Sequence, residues 1–460
     1  MTPAVTQAIG EAVLKLKAKF ADGHLHGVVR GAAFVMGIRI AGAAITLLSQ
    51  VMLARWMGAF EYGIFAYVWV WVIMLGIIVP MGFGTSVLRF VPEYKTKANW
   101  GQLHGMLRAS FGIVFLLTLG CLVLGALLLW FIKDMLPPYY VLPLAIGLAC
   151  VPGFALTDWQ EGAARAFGWV NLAYVPSYIL RPVGIVLFTG IMLFFIRQPD
   201  AIDVCLAALI ATLVTFLAQH VVLRQRVTAQ VPAAKPVYRV GHWFAVSAPL
   251  VLVEGLYLLL ANTDIVLLGH FVSPDDIAVY FAATRIANLV AFIYFAVAAL
   301  AVPKFAELHA AGDIDGLQRF VFNIIHAIFW PTLAAVLFLA GFGQYVLMLF
   351  GTNFDSGSSL LIWLMIGFLV RAATGPVEYL LNMTGHQNMT AIAYGGAAVL
   401  NIVLNLILVP HFGINGAAAA TSISVTLATL LLAWFVRRRL GITAFIVAGF
   451  FPPRPSLARA

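Results

Sequence analysis

About twelve apolar stretches follow one another along this chain, each long enough to cross roughly 30 Å of hydrocarbon at about 1.5 Å per residue. They fall near 32–55, 62–88, 107–132, 139–162, 169–196, 202–224, 243–269, 277–303, 318–341, 357–381, 388–410 and 416–436. The connections are short, and the longest, about 225–242, is the polar, proline-containing "RQRVTAQVPAAKPVYR". With 63% of 460 residues hydrophobic and 10% charged, one globular core cannot hide such a surface, so lipid must be the solvent. The expected fold is an all-α integral membrane protein of about 12 transmembrane helices in two six-helix bundles. The expected divisions are a cytoplasmic segment 1–30, a bundle 31–224, a cytoplasmic linker 225–242, a second bundle 243–436 and a cytoplasmic tail 437–460.

Charge placement orients the chain and excludes some functions. With the N-terminus inside, 20 Lys and Arg residues fall in cytoplasmic segments, against three outside: Arg55, Lys133 and Arg197. That bias places both termini in the cytoplasm. The net charge of +9 does not imply nucleic acid, because the basic residues sit in short loops between apolar runs. The lysine-alternating "EAVLKLKAKFADGH" lacks the apolar core of a signal peptide; a surface helix and a disordered tail both fit it. Cys121, Cys150 and Cys205 lie in or beside apolar runs and have no metal or disulfide spacing. No nucleophile–base pair, phosphate-cradling glycine loop or ATP signature occurs, so neither an enzyme nor a cofactor is implied.

The two halves share a plan. "LSQVMLARWMGAFEYGIFAYV" lies beside "ANTDIVLLGHFVSPDDIAVYFAA" at an offset near 215, which maps Arg39 onto Glu254 and Ser49 onto Asp264. Six crossings per half make the repeats parallel, related by an axis along the membrane normal. Four arginines (Arg39, Arg181, Arg285, Arg371) and three acids (Glu254, Asp264, Glu378) fall inside spans. An acidic side chain near mid-bilayer costs about 2.5–3.5 kcal/mol on insertion scales, so these groups are expected to face a water-filled cleft between the halves. For each arginine the structural alternative is an ion pair between helices. Arg371 and Glu378, seven residues apart, are candidates for sharing partners, as is Asp264 with Arg39 or Arg285. Pro182, beside Arg181 in "YILRPVG", weakens its helix and frees carbonyls there.

The L-A-R-x-x-G-x-x-x-Y-G-x-F pattern of Leu53, Ala54, Arg55, Gly58, Tyr62, Gly63 and Phe65 resembles the opening of Wzx-type polysaccharide-biosynthesis flippases. These belong to the superfamily that also holds multidrug (MATE) exporters and lipid II flippases. "GHQNMTAIAYGGAAVLNIVLNLILVPHFGINGAAAATSIS", with Asn401, Asn405, Gly413, Gly416, Ala417 and Ala418, is similar to that family's last two spans. The resemblance implies alternating-access movement of polyprenyl-diphosphate-linked oligosaccharide from the inner to the outer leaflet of a bacterial inner membrane, for surface polysaccharide. Polysaccharide polymerase and export machinery are the implied partners, together with membrane lipid.

On that reading Arg39, Arg181, Arg285 and Arg371 line a cavity for the diphosphate, since guanidinium offers a fixed fork of donors. Trp69, Trp71, Tyr257, Tyr280 and Tyr294 either stack on sugar rings or pack and anchor the helices. Arg55 is an interface anchor or a lid contact. Glu254, Asp264 and Glu378 are the ion-coupling candidates, because a carboxylate carried into a dry cleft takes up protons more readily. The rival is a cation-coupled multidrug exporter, whose cavity favours acids; a four-to-three excess of arginine leans away from it.

Overall fold

In hydrocarbon the backbone finds no water, so each crossing must satisfy its own polar groups as a helix. The computed structural model describes residues 23–195 and 198–447, without the side chains of 23–34, 252–254, 257 and 300. Most of the segment 1–30, Arg197, the end of the tail, and the side chains of Glu254 and Tyr257 therefore lie outside the described residues. Among those described the chain is helical with no strand. In order come α1 (Gly23–Met57), α2 (Ala59–Ile78), α3 (Phe83–Thr96), α4 (Trp100–Ile132) and α5 (Pro138–Ala166). Next are α6 (Val170–Val175), a π-turn (Pro176–Leu180), α7 (Arg181–Met192) and α8 (Ala201–Gln230). The remainder comprises α9 (Val240–Phe271), α10 (Pro274–Ala310), α11 (Ile314–Leu347), α12 (Ser358–Thr374), α13 (Val377–Met383) and α14 (Gln387–Leu440).

Ten helical runs are long and apolar enough to cross a membrane, α2 with α3 making one and α6 through α7 another. Apolar stretches Val240–Val251 and Leu258–Phe271 make α9 an eleventh crossing. The 54-residue α14 turns at Gly413 (φ 55°) and crosses twice, which brings the described crossings to the expected twelve. An even number leaves Gly23 and residue 447 on one face, called here the terminal face; the other is the distal face.

Prolines mark where crossings depart from simple rods. Lacking an N–H, proline frees a carbonyl one turn back. The chain turns between α2 and α3 beside Pro80, where Gly82 takes φ 72°. It breaks again between α12 and α13 at Gly375 and Pro376. The π-turn stands immediately before Arg181 and Pro182, where the sequence places a weak point. Pro152, Pro249 and Pro331 sit inside helices that continue.

Helices α1–α8 pack among themselves around α5, which touches α2, α3, α4 and α8. Helices α9–α14 pack along α14, which lies against α9, α12 and α13. The groups meet where α2 packs on α9 and α10, and α3 on α9. At the distal face this junction is tight. Tyr62 is buried against Phe281, Phe354 and Phe350, ring centroids 6.0, 6.2 and 6.4 Å away. Gly63 is essential to that approach, because any Cβ there would overlap the Pro274 carbonyl. Arg55 reaches across to donate from Nε to the Leu349 carbonyl at 2.6 Å and from Nη2 to the Met348 carbonyl at 3.4 Å. Those carbonyls close α11, so the cation meets the negative end of a helix. Arg55 thus bridges the two helical groups at the distal face.

Toward the terminal face the junction is polar. Ser247 Oγ donates to Ser86 Oγ at 2.7 Å, and Trp243 Nε1 donates to the Tyr94 hydroxyl at 2.8 Å. The segment after α8 is clipped to the same group, since Val237 N donates to the Gly101 carbonyl at 2.8 Å.

Candidate functional site

Each helical group holds its own polar cavity. In the amino-terminal group a cavity of about 300 Å³ lies between α1, α2, α5 and the π-turn. The π-turn, which widens the helix by one residue, presents Ser177, Tyr178 and Arg181 toward it. Arg181 is buried, with its guanidinium 4.3 Å from the Phe154 ring centre. Asp158 and Glu161, one turn apart on α5, line the same space together with Ser49 and Gln50. Arg39 stands beside it, its guanidinium 5.2 Å from the Tyr174 ring and 5.9 Å from that of Tyr178.

These two acids overturn the arginine excess counted from the sequence. Asp158 and Glu161 lie inside the expected span 139–162, in "ALTDWQEGAARA", but near its end, where acids are ordinarily taken for loop. A packed neighbour, the widened fifth crossing, draws them inward. The signal was present: both recur at helical spacing within an otherwise apolar run.

The carboxy-terminal group encloses a cavity of about 140 Å³ between α9, α10, α12 and α14. Asp264, 2% exposed, is held from three sides. Its Oδ1 accepts from the Ile265 amide at 2.9 Å; its Oδ2 accepts from the Tyr280 hydroxyl and from Thr421 Oγ1 at 3.3 Å. Asn401 Nδ2 donates to Thr421 Oγ1 at 3.2 Å, and Asn405 Nδ2 donates to Asn401 Oδ1 at 3.1 Å, extending the network along α14. No ion pair joins Asp264 to Arg39 or Arg285 among the described residues. The offset of 215 sets Ser49 against Asp264, but in the amino-terminal group it is the next residue, Gln50, that meets a tyrosine hydroxyl. Gln50 stands as far from the end of α1 as Asp264 does from the end of α9, and accepts from the Tyr62 hydroxyl at 2.9 Å.

Arg371 lines this cavity too, but it is engaged. Its Nη2 lies 2.7 Å from Glu378 Oε1, and Glu378 Oε2 accepts from the Tyr294 hydroxyl at 2.6 Å. The guanidinium also lies 4.4 Å from the Tyr294 ring. Both residues are largely buried, and their pairing spans the helix break. For this pair the structural alternative is the arrangement found.

Arg285 is placed differently. It projects from α10 near the seam, 4.2 Å from the Phe281 ring that packs against Tyr62. It makes no salt bridge among the described residues. The Nε atoms of Arg39, Arg181 and Arg285 are all buried without an acceptor there. An unmade hydrogen bond costs about 1–3 kcal/mol for a neutral group and more for a charged one. The structure thus gathers Arg39 and Arg181 near the amino-terminal cavity, puts Asp264, Arg371 and Glu378 in the carboxy-terminal group, and sets Arg285 at the seam. Of the expected aromatics, Trp69 stacks on Phe65 and lines the amino-terminal cavity, Trp71 meets Tyr67 edge-on, and Tyr280 and Tyr294 donate to carboxylates.

Comparison with known proteins fits this architecture. The family model described as "Polysaccharide biosynthesis protein" matches residues 28–309, more than half of the chain. The chain belongs to that family. A second model, MatE, matches residues 249–407. A putative O-antigen transporter of Salmonella typhi is 22% identical over 415 residues, covering 85% of this chain and 91% of its own. Among solved structures, an inward-facing multidrug resistance MATE family transporter superposes with a TM-score of 0.72 at 15% identity, covering 88% of this chain and 98% of that one. Lipid II flippase MurJ superposes with a TM-score of 0.70 at 15% identity, covering 88% and 87%. The fold is that of these multi-pass membrane transporters, and the family is one of transporters rather than catalysts.

Proposed function

We propose that this protein is a flippase for polyprenyl-diphosphate-linked oligosaccharide, moving it between leaflets by alternating access. What carries the reading is Arg285: a guanidinium at the seam of two helical groups, with no carboxylate partner among the described residues and a buried Nε lacking an acceptor. A diphosphate supplies both the missing charge and the missing acceptors. Arg39 and Arg181 offer a second basic contact in the amino-terminal group, where Asp158 and Glu161 are suited to accept from sugar hydroxyls. A relative described as a putative O-antigen transporter supports the reading, as does the fold shared with lipid II flippase MurJ.

The moving units on this reading are α1–α8 and α9–α14, hinged where they meet. The distal face is the outer one and the termini are cytoplasmic, in a bacterial inner membrane; the basic residues of the terminal segments support that orientation. The conformation is the one closed to the outside, because Arg55, Tyr62 and Gly63 seal the distal seam. Polymerase and export proteins are the partners that would consume the product. Asp264, hydrogen-bonded but unpaired with any cation among the described residues, serves as the coupling carboxylate.

The test is translocation of a fluorescent diphosphate-linked oligosaccharide in proteoliposomes. Arg285→Ala should slow it at least tenfold with folding intact, and transport at the parental rate would remove Arg285 from the mechanism. One observation favours the second reading, a cation-coupled multidrug exporter: Asp158 and Glu161 in the amino-terminal cavity. Efflux of an organic cation, abolished by Asp158→Asn with Glu161→Gln and spared by Arg285→Ala, would decide for it.

A further inference from the structure

A third polar recess lies outside both cavities. It occupies about 410 Å³ between α4, α5 and α8 and shares no lining residue with either cavity. Its rim carries Arg108, Arg224, His104 and His220, and no acid among the described residues lines it. The floor is aromatic: Phe111 meets Trp159 edge-on at 5.3 Å and the His220 ring at 5.2 Å. Its polar atoms are fixed from behind, with Gln160 Nε2 3.2 Å from His220 Nδ1 and Trp159 Nε1 donating to Ser110 Oγ at 3.0 Å. Gln160 Oε1 is buried without a partner among the described residues. An adjoining space of about 640 Å³ continues along α8 past Arg224, Gln225 and Thr228.

The level of this recess matters. Arg108 directly precedes the apolar run of α4 and Arg224 directly follows that of α8, so both stand at the hydrocarbon boundary on the terminal face. Two turns deeper on the same faces lie Phe115 and Leu217, both exposed and apolar. Two exposed guanidiniums without an acid, above apolar walls that open sideways, form a slot with a charged mouth and a lipophilic flank.

We propose that this slot is a binding site for an anionic phospholipid of the surrounding bilayer. The guanidiniums take the phosphate through charge-assisted donors, and the acyl chains lie along Phe115 and Leu217. A bilayer lipid is favoured over the transported substrate because only α4, α5 and α8 line the slot, away from the seam residues. A free anion would gain nothing from the apolar flank.

Native mass spectrometry of the full chain, delipidated in detergent and mixed with equal phosphatidylglycerol and phosphatidylcholine, tests this. The parent should retain phosphatidylglycerol at least fivefold over phosphatidylcholine. Arg108→Gln with Arg224→Gln should lower the retained phosphatidylglycerol at least fivefold without changing the melting temperature of the lipid-free protein. Arg108→Lys with Arg224→Lys should recover at least half. Inorganic phosphate in large excess should leave the adducts in place. Equal retention of both lipids, parental binding by the glutamine variant, no recovery by the lysine variant, or displacement by phosphate would each overturn the assignment. So would binding of the lipid-linked oligosaccharide in place of phosphatidylglycerol when both are offered.

Discussion

Arg371 and Glu378 clasp one another at 2.7 Å across the break at Gly375 and Pro376, joining the end of α12 to the start of α13. Removing one partner of a buried pair strands the other charge, at a cost of about 3–5 kcal/mol. Glu378→Ala should therefore lower thermal stability in detergent markedly. Arg371→Met with Glu378→Gln, which removes both charges, should recover much of the loss. A Glu378→Ala protein that melts with the parent would show that the clasp is not structural and return Arg371 to the substrate-binding set.

Arg55 anchors the distal seam through two backbone carbonyls at the close of α11. Hydrogen bonds from a charged donor contribute about 1.5–3 kcal/mol. Arg55→Ala should shift the protein toward a state open at the distal face, by about tenfold or more in population. Maleimide labelling of a cysteine placed at Phe350 reads this directly. Unchanged labelling would leave Arg55 as a surface anchor only.

Gly63 lies against the Pro274 backbone, which cannot swing away as a side chain would. Gly63→Ala should oppose distal closure by about 1–3 kcal/mol, the usual range for overpacking. Flipping should slow while membrane insertion, measured by yield and helix content, stays normal. Parental flipping rates would show that the seal tolerates a wider gap.

Asp264→Asn keeps an acceptor for Tyr280 and Thr421 but removes the charge. If Asp264 couples transport to an ion, this variant should equilibrate substrate down its gradient yet fail to accumulate it against one. Proteoliposomes with and without an imposed proton or sodium gradient distinguish the two. Gradient-driven accumulation at the parental level would assign the carboxylate to packing.

Much of the architecture is legible in the sequence because hydrocarbon thickness and backbone satisfaction act on contiguous residues. Span number follows from run length, and the weak point at Pro182 from a missing N–H. The placement of ionic groups is a different matter, because it depends on which helix face meets which neighbour. The seven-residue spacing of Arg371 and Glu378 hints at proximity, yet the contact is completed by a helix break and by Tyr294 from α10. Asp158 and Glu161 escape notice for a related reason: their environment is set by the widened fifth crossing, some twenty residues away.

Trp243 and Ser247 tie the opening turns of α9 to α3, whereas Asp264, further along the same helix, is fastened to α14 through Thr421. One continuous rod is thus moored at its two ends to different bodies. If those bodies swing apart, α9 must itself flex, and Pro249, standing between the moorings, is the joint at which it would bow.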